Sequence, residues 1–253
     1  MASKPKRVLI YHITDISNLP GILADGGLHS DAVMVGRDPT IIGHDHIKKR
    51  RLHQIQVPCC GGRYVGEFVP FYYCPRSPML YVVNQGRTTR PAGCQTSIVH
   101  LVSAVDVAVT LGAAWAVSDG NAGAFHTSFF STLKALDTLD WSAIEAKYWN
   151  AVTHQKQAEF LVADFFPWTG ILAIGVMDDA TKAQAEAKLP AHTHTPTEGI
   201  RAAGLVLLSH DRTYSRQLVG SAGRGARQHR EHQGRHGARY RAAVQAGIPC
   251  DVP

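Results

Sequence analysis

The sequence predicts a single α+β domain over residues 1–200. Runs rich in β-branched and aromatic residues outnumber the long helical stretches, and the two kinds do not alternate in regular βαβ order. The composition of the 253 residues, 45% hydrophobic and 18% charged, is typical of a globular protein with a sizeable core. Together these observations favour a mixed sheet flanked by helices over a doubly wound parallel sheet.

The first 63 residues predict one strand, one short helix and a long loop. Residues 7–13 are a β-branched and aromatic run, which predicts a buried strand. Residues 18–23 combine a proline with apolar i, i+3, i+4 spacing, which predicts a short helix that ends at Gly26-Gly27. Residues 30–63 are polar and predict a long functional loop, with a basic helix-like stretch at residues 47–51.

The rest of the body predicts more strands than helices. Residues 68–73 and 79–83 are aromatic and β-branched runs around a turn at residues 75–78, and we expect both to be strands. Further strands are predicted at 98–102, 158–163 and 170–176, and helices at 141–150 and 180–189.

Composition argues against membrane and metal sites. No apolar run reaches the roughly 18 residues that a membrane span needs, so we expect a cytoplasmic protein with no membrane partner. The five cysteines contain no C-x-x-C pair. The paired histidines of H-D-H (44–46) and H-T-H (192–194) lack a third ligand nearby, so we expect no metal.

Three features have chemical content. His12 lies at the predicted end of the first strand beside Thr14, where the two side chains can bind a ribose, although a capped structural histidine has the same appearance. Glu159 enters an apolar strand, where a carboxylate is costly to bury without a partner; a solvated strand end is the alternative. Arg50 and Arg51 form a pair in the polar loop, which a solvated basic face also explains.

Taken together, the motifs resemble a known family. Their order along residues 7–180 resembles that of the DarT family, toxins that ADP-ribosylate DNA; the motifs are Y-H-I-T (11–14), I-K-K-R-R (47–51), F-V-P-F-Y-Y (68–73), R-S-P-M-L-Y (76–81), S-D-G-N-A (118–122), K-Q-A-E-F-L-V (156–162) and F-P-W (166–168). Many members have His where this chain has Asn121. The resemblance implies an ADP-ribosyltransferase fold, a split central β-sheet that clamps NAD between a His, a Tyr and a Glu.

The resemblance also implies a reaction. It predicts an NAD-dependent mono-ADP-ribosyltransferase that modifies a base, thymidine, in single-stranded DNA, as the toxin partner of a DarG-like macrodomain antitoxin. Glu159 would stabilise the positive charge that develops on the ribose. The family's arginine, which binds NAD and is assigned to proton removal, falls on Arg51, with Arg50 as the alternative. Because arginine is normally always protonated, an electrostatic role is an equal alternative.

Two sets of site residues follow from the resemblance. For NAD we expect His12, Ile13, Thr14, Gly21, Leu28, Arg50, Arg51 and Tyr72. For DNA we expect Arg76, Ser77, Met79, Tyr81, Lys147, Tyr148, Lys156 and Gln157, because cations and aromatic rings side by side hold phosphates and stack bases. Two other functions stay open: an NAD-dependent transferase acting on RNA or protein, and a non-enzymatic basic DNA-binding protein.

Residues 201–253 differ in composition from the body. Most of the net charge of +6 lies in residues 210–253, which contain eight Arg and no Lys. We expect a basic tail that is disordered or read out of frame. Shifting the codons by one nucleotide permits Trp-Tyr-Tyr-stop at residues 205–209, an ending typical of the family, and then a start codon and macrodomain-like strings.

Overall fold

The computed structural model describes residues 2–37, 39–88, 90–189, 198–202 and 205–209. In these ranges the α-helices are α1 (Leu19–Ala24), α2 (Asp45–His53), α3 (Pro78–Asn84), α4 (Val105–Thr110), α5 (Trp141–Glu145), α6 (Thr153–Lys156) and α7 (Asp179–Glu186). The strands are β1 (Leu9–Asp15), β2 (Gly27–His29), β3 (Gln56–Val57), β4 (Arg63–Tyr64), β5 (Phe68–Tyr72), β6 (Ile98–Ala104), β7 (Trp115–Asn121), β8 (Phe129–Phe130), β9 (Ala158–Ala163), β10 (Phe165–Pro167), β11 (Ala173–Val176), β12 (Glu198–Ala202) and β13 (Leu205–Ser209).

Nine of these strands form one antiparallel sheet, in the order β12-β13-β11-β6-β1-β5-β9-β7-β8. Short helices and two small two-stranded sheets, β2 with β10 and β3 with β4, surround it. Every residue of β6 and of β9 is buried, which is why both read as continuous apolar runs and not as alternating ones. The predicted α+β class is confirmed.

The sheet is split between β1 and β5. β1 pairs along its whole length with β6, and β5 does so with β9, but β1 and β5 share only the pair Tyr11↔Tyr72. Pro70 in β5 gives a physical reason. Its carbonyl accepts a hydrogen bond from the His12 ring, so this residue faces β1, where a proline has no N–H to offer. The two half-sheets therefore separate beyond this pair, and we call the split between them the cleft.

The core follows from the apolar faces of this split sheet. The larger cluster includes Phe71, Phe160, Phe166 and Trp141, with aromatic rings in contact such as Phe71 and Phe166 at 4.8 Å between centroids. A smaller cluster of buried residues lies around Phe68 and joins Val57 of β3 and Val65, just after β4, to the sheet. Both clusters include residues of β5 and β9, the strands that contain the candidate site residues Tyr72 and Glu159.

The predicted strand at residues 79–83 is wrong. These residues form α3, because Ser77 accepts a hydrogen bond from the Leu80 amide at 3.2 Å and Pro78 takes the first helical position. These capping signals outweigh the β propensity of the aromatic and β-branched run that follows. The helix then packs Leu80 and Val83 against Ile13 of β1.

Other elements differ in extent from the predictions. The helix predicted at 141–150 ends as α5 at Glu145, and the polar loop at 30–63 contains α2, β3 and β4. β7 was not predicted, because its mixed sequence WAVSDGN lacks period-two alternation.

The sheet continues past residue 200 into β12 and β13, so residues 201–202 and 205–209 are strands. Residues 210–253 lie outside the described residues. The domain boundary and the changed reading frame stay predictions, which sequencing of the coding DNA would test.

Candidate active site

The central feature of the site is a buried ion pair between Arg51 of α2 and Glu159 of β9. The two guanidinium nitrogens Nη1 and Nη2 donate to Oε1 and Oε2 at 3.0 and 2.9 Å. The side chains are 11% and 2% exposed. Burial lowers the pKa of Arg51, but the adjacent Glu159 carboxylate more than compensates, so the net pKa lies above its usual range. Arg51 is therefore a fixed cation, and its geometry with the carboxylate is bidentate.

Ser118 of β7 and the amide of Ala122, just after β7, complete the environment of Glu159. The Ala122 amide donates to Oε1 at 3.1 Å, and the Glu159 amide donates to Oγ of Ser118 at 2.8 Å. A bulge between Val117 and Asn121 shifts the β7 register and turns the Ala122 amide toward the carboxylate. A carboxylate offers about four acceptor positions, of which three are used here, so Oε2 keeps one for a further donor.

His12 lies in the cleft at the split. Its Nδ1 bonds to the Pro70 carbonyl at 2.9 Å, and since a carbonyl only accepts, Nδ1 carries the hydrogen. Burial lowers the pKa of His12, although the hydrogen bond to Pro70 opposes the shift, so the ring is neutral near pH 7. Nε2 is then an acceptor, and it makes no hydrogen bond to the described part of the chain.

Tyr72 lies opposite Glu159 in the β5–β9 register and is itself a member of Tyr11↔Tyr72, the one pair that joins the half-sheets. Burial and then the Glu159 charge raise the pKa of Tyr72 well above its usual range. Its hydroxyl is therefore a permanent donor. The structure thus brings Arg51 and Tyr72 to Glu159, although the three are far apart in sequence, and places His12 on β1, the strand next to β5.

The other residues predicted for NAD differ in their exposure and contacts. Ile13 and Leu28 are buried and apolar. Thr14 accepts a hydrogen bond from Asn18 at 3.0 Å, and Gly21 lies exposed in α1 with open space where a side chain would be. Arg50, next to Arg51, makes no contact with Glu159, and its Nε is buried without a hydrogen-bond partner among the described residues.

Five of the residues predicted for DNA line an accessible face. Arg76, Tyr81, Lys147 and Tyr148 are exposed, Tyr148 by 88%, and Met79 is partly exposed. Tyr81 packs edge-on against Trp149 at 5.6 Å, and the Lys147 ammonium lies 5.7 Å from the Tyr148 ring. The loop before α6 and the start of α3 therefore meet beside the site.

The remaining three residues predicted for DNA do not present free polar groups. Lys156 is 4% exposed, and its ammonium donates to the Ile144 carbonyl at 2.8 Å, so the expected phosphate contact is wrong. Ser77 is buried as the cap of α3. Gln157 is partly buried and donates to the Thr153 carbonyl, while it accepts from Asn121. A basic residue just before a buried strand gives no sequence signal of which way it turns.

Sequence reasoning missed Ser118 and the Ala122 amide as supports of Glu159. The S-D-G-N-A motif was visible, but only its bulge in the sheet shows what it contacts. In the parts of the chain that the structure describes, no three His, Cys, Asp or Glu side chains group as metal ligands, and no helix is long and apolar enough to cross a membrane.

Comparison with known proteins identifies the family. A family model described as the ssDNA thymidine ADP-ribosyltransferase DarT matches residues 11–204. The chain belongs to the DarT family. The resemblance seen in the motifs is thereby confirmed.

Relatives and solved structures agree with this DarT assignment. The DNA ADP-ribosyl transferase of Thermus aquaticus is 42% identical over 197 residues, which is 76% of this chain and 86% of that protein. The structure of Thermus sp. 2.9 DarT in complex with ADP-ribosylated ssDNA matches with a TM-score of 0.68 at 36% identity, over 74% of this chain and 90% of that one. The NAD+ complex of the same protein matches with a TM-score of 0.65 at 35% identity and the same coverage.

Proposed function

We propose that this DarT-family chain transfers ADP-ribose from NAD to the thymidine base of single-stranded DNA. The observation that carries the proposal is the buried Arg51–Glu159 pair at the mouth of a split sheet, with Tyr72 directly opposite Glu159. Burying two charges costs desolvation energy, and such pairs with a perturbed pKa cluster at functional sites, so the Arg51–Glu159 pair favours an enzyme over a purely structural or DNA-binding domain.

The cleft has groups that fit NAD. The neutral His12 offers Nε2 as an acceptor for a ribose hydroxyl, Tyr72 offers its hydroxyl as a donor, and Arg50 has a buried Nε that lacks a partner among the described residues. The open space at Gly21 allows close approach to α1. We assign NAD binding to these four residues, with Thr14, Ile13 and Leu28 as walls of the cleft.

Glu159 is proposed as the catalytic carboxylate. When bound, NAD supplies an ADP-ribosyl group whose bond to nicotinamide breaks with positive charge developing on the ribose. Glu159 holds its negative charge next to that position without reorganisation, because Arg51 and the Ala122 amide already fix both oxygens. The free position on Oε2 is available to a ribose hydroxyl.

Arg51 is proposed as a stabilising cation and not as a base. The new bond joins the ribose carbon to the thymine ring nitrogen; the bond to nicotinamide breaks with its electron pair leaving on nicotinamide, and the ring-nitrogen proton passes to water. The pKa of Arg51 is raised by its carboxylate partner, which makes proton removal by this group unfavourable and favours electrostatic stabilisation of the deprotonated base. The contact with Glu159 favours Arg51 over Arg50 for this role.

The DNA strand is proposed to lie across the face formed by Arg76, Met79, Tyr81, Lys147 and Tyr148. Exposed aromatic rings next to cations are suited to unpaired bases and phosphates. Within a toxin–antitoxin pair, the DarT family membership supports a DarG-like macrodomain partner that reverses the modification.

Mass spectrometry of oligonucleotides tests the function. Single-stranded DNA, RNA of the same sequence and protein are each incubated with NAD, and the mass of one ADP-ribosyl group is expected on thymidine-containing DNA alone. Transfer to RNA or protein instead would identify a different acceptor, and no consumption of NAD with any acceptor would contradict the proposal.

A further inference from the structure

A second cavity lies beside the catalytic pair. It has a volume of about 310 Å³ and lies between the end of α2 with β3 on one side and the β7–β8 loop (residues 122–128) with β8 on the other; it is lined by Gln54, Ile55, Gln56, Pro58, Phe125, Thr127, Ser128 and Phe129. This volume is at the lower end of the range for small-molecule sites. None of these residues takes part in the site described above.

The segments that line the cavity are continuous with those that hold Arg51 and Glu159. Gln54 follows the helix that carries Arg51, and the β7–β8 loop begins at Ala122, whose amide holds Glu159. At Gly123 a β-carbon would be only 3.7 Å from Cγ of Arg51, so the loop packs directly on that side chain. The loop that lines the cavity therefore also contacts the Arg51 side chain.

The same loop also contacts the segment that precedes Glu159. The rings of His126 and His154 lie 4.2 Å apart, and a side chain at Gly120 would collide with the His154 ring. His154 belongs to α6, which follows the exposed residues Lys147 and Tyr148. The surface that we assign to DNA thus continues over this histidine pair to the cavity.

The chemistry of the lining indicates the class of ligand. Phe125 is 72% exposed at the rim, so its ring is accessible to a ligand. The side-chain amides of Gln54 and Gln56 form no hydrogen bond to any other described residue. An amide presents a donor and an acceptor together, as the edge of a nucleobase does, while an exposed ring offers a stacking face.

We propose that this cavity is a subsite for an unpaired nucleobase next to the modified thymidine, with Phe125 stacking on the base and Gln54 and Gln56 reading its edge. The inference rests on the proposed function, because that function places a single DNA strand at Arg51 and Glu159. The subsite would give the enzyme a sequence context, since a wrong base would leave the two amides unpaired.

The test measures flanking-base preference. Oligonucleotides with one thymidine and randomised flanking positions are incubated with NAD, and the relative rates of modification are read for each flanking base. The wild-type chain is expected to discriminate at one flanking position. Phe125→Ala is expected to lower kcat/KM for the preferred oligonucleotide by on the order of 10-fold, from the loss of one stacked base.

A second variant and a matched control make the result specific. Gln54→Ala combined with Gln56→Ala is expected to bring the preference at that position close to equality among the four bases. Leu133→Ala removes another exposed apolar side chain away from the cavity and should keep the wild-type rate and preference. Circular dichroism confirms the fold of each variant.

The outcomes separate the two proposals. If the wild-type chain modifies DNA but Phe125→Ala and the double glutamine variant both keep its flanking preference, the subsite is wrong and the proposed function stands. If the wild-type chain modifies no oligonucleotide, the proposed function fails and the subsite fails with it.

Discussion

The guanidinium of Arg51 holds both carboxylate oxygens of Glu159, although the two residues are 108 positions apart in the sequence. Both side chains are nearly buried, so each charge depends on the other for its solvation. A buried pair of this kind adds little net stability, yet it is costly to break, because the remaining charge stays in a medium of low dielectric constant. Breaking the pair by mutation should therefore lower both the transfer rate and the free energy of unfolding.

Glu159→Gln should lower the transfer rate by on the order of 10² to 10³, because a preorganised charge is lost. It should also lower the free energy of unfolding by about 3 kcal/mol, since Arg51 keeps its charge without a partner. Urea denaturation of Glu159→Gln, Arg51→Met and the double variant checks this: the double variant should lose less stability than the sum of the two single variants.

Lys182→Met is the control. It removes an ion pair on the surface of α7 and should cost under about 1 kcal/mol of stability. Additive effects in the cycle would contradict the coupling.

Ser118→Ala should lower kcat by about 10-fold, because the hydroxyl that fixes the Glu159 backbone is lost. KM for NAD should change little, since Ser118 is a positioning residue. Ser103→Ala is the matched control: Ser103 is equally buried and donates to the Gly170 carbonyl at 2.7 Å, away from the site. Both variants should lose about 1–2 kcal/mol of stability, but only Ser118→Ala should lose activity. Equal kcat in the two variants would mean that Ser118 has a structural role alone.

KM for NAD should be constant from pH 8 to pH 6.5 and should rise only at lower pH. The reason is that burial lowers the pKa of His12, so its neutral form persists below the pH at which an exposed histidine gains a proton. Initial rates at varied NAD concentration across this range provide the measurement. His12→Asn should have a higher KM without this rise at low pH. A rise that already begins above pH 7 would show that His12 is not the group that titrates.

The protein should lose stability as the pH falls from about 6.5 to 4. Burial lowers the pKa of His100 to about 4, so in this window the unfolded chain binds a proton that the folded chain does not. The full loss from His100 alone would be roughly 3 kcal/mol. Urea midpoints at pH 7 and pH 4.5 measure it, and His100→Gln, which is uncharged at both pH values, should show a smaller difference. An unchanged difference in His100→Gln would assign the effect to other groups.

Lys147 and Lys156 should behave oppositely in DNA binding and folding. Lys147→Ala removes an exposed cation, and we expect weaker binding to single-stranded DNA and a smaller slope of log K against log salt by about 0.7, the value for one phosphate contact on a single strand. Lys156→Met removes a buried donor to the Ile144 carbonyl, which should cost about 1–3 kcal/mol of stability and leave the salt slope unchanged. A reduced slope in Lys156→Met would restore the contact with phosphate that the sequence suggested.

Much of this site could be predicted from sequence because its residues lie in motifs with an apolar context. Glu159 enters a fully buried strand, and His12 lies within β1, so both were visible as polar exceptions. What could not be predicted depends on contacts between distant segments. The choice between Arg50 and Arg51 depends on the rotation of α2 against β9, and the burial of Lys156 depends on the position of α5.

The fold shows the same limit. The helix at Pro78–Asn84 has the composition of a strand, and only the cap at Ser77 and the proline that follows it indicate otherwise. The bulge in β7 contains Gly120, a residue common at bulges, but the sequence does not indicate that the bulge would face Glu159.

Pro70 makes the cleft a property of the backbone and not of side-chain shape. A residue with an N–H at this position would offer β1 the donor that the sheet lacks, and the two half-sheets could pair further. Selection or design for stability alone would favour replacing Pro70, because a continuous sheet forms more backbone hydrogen bonds. A variant with a closed sheet would then gain stability and lose access to the site, so stability and activity conflict at Pro70.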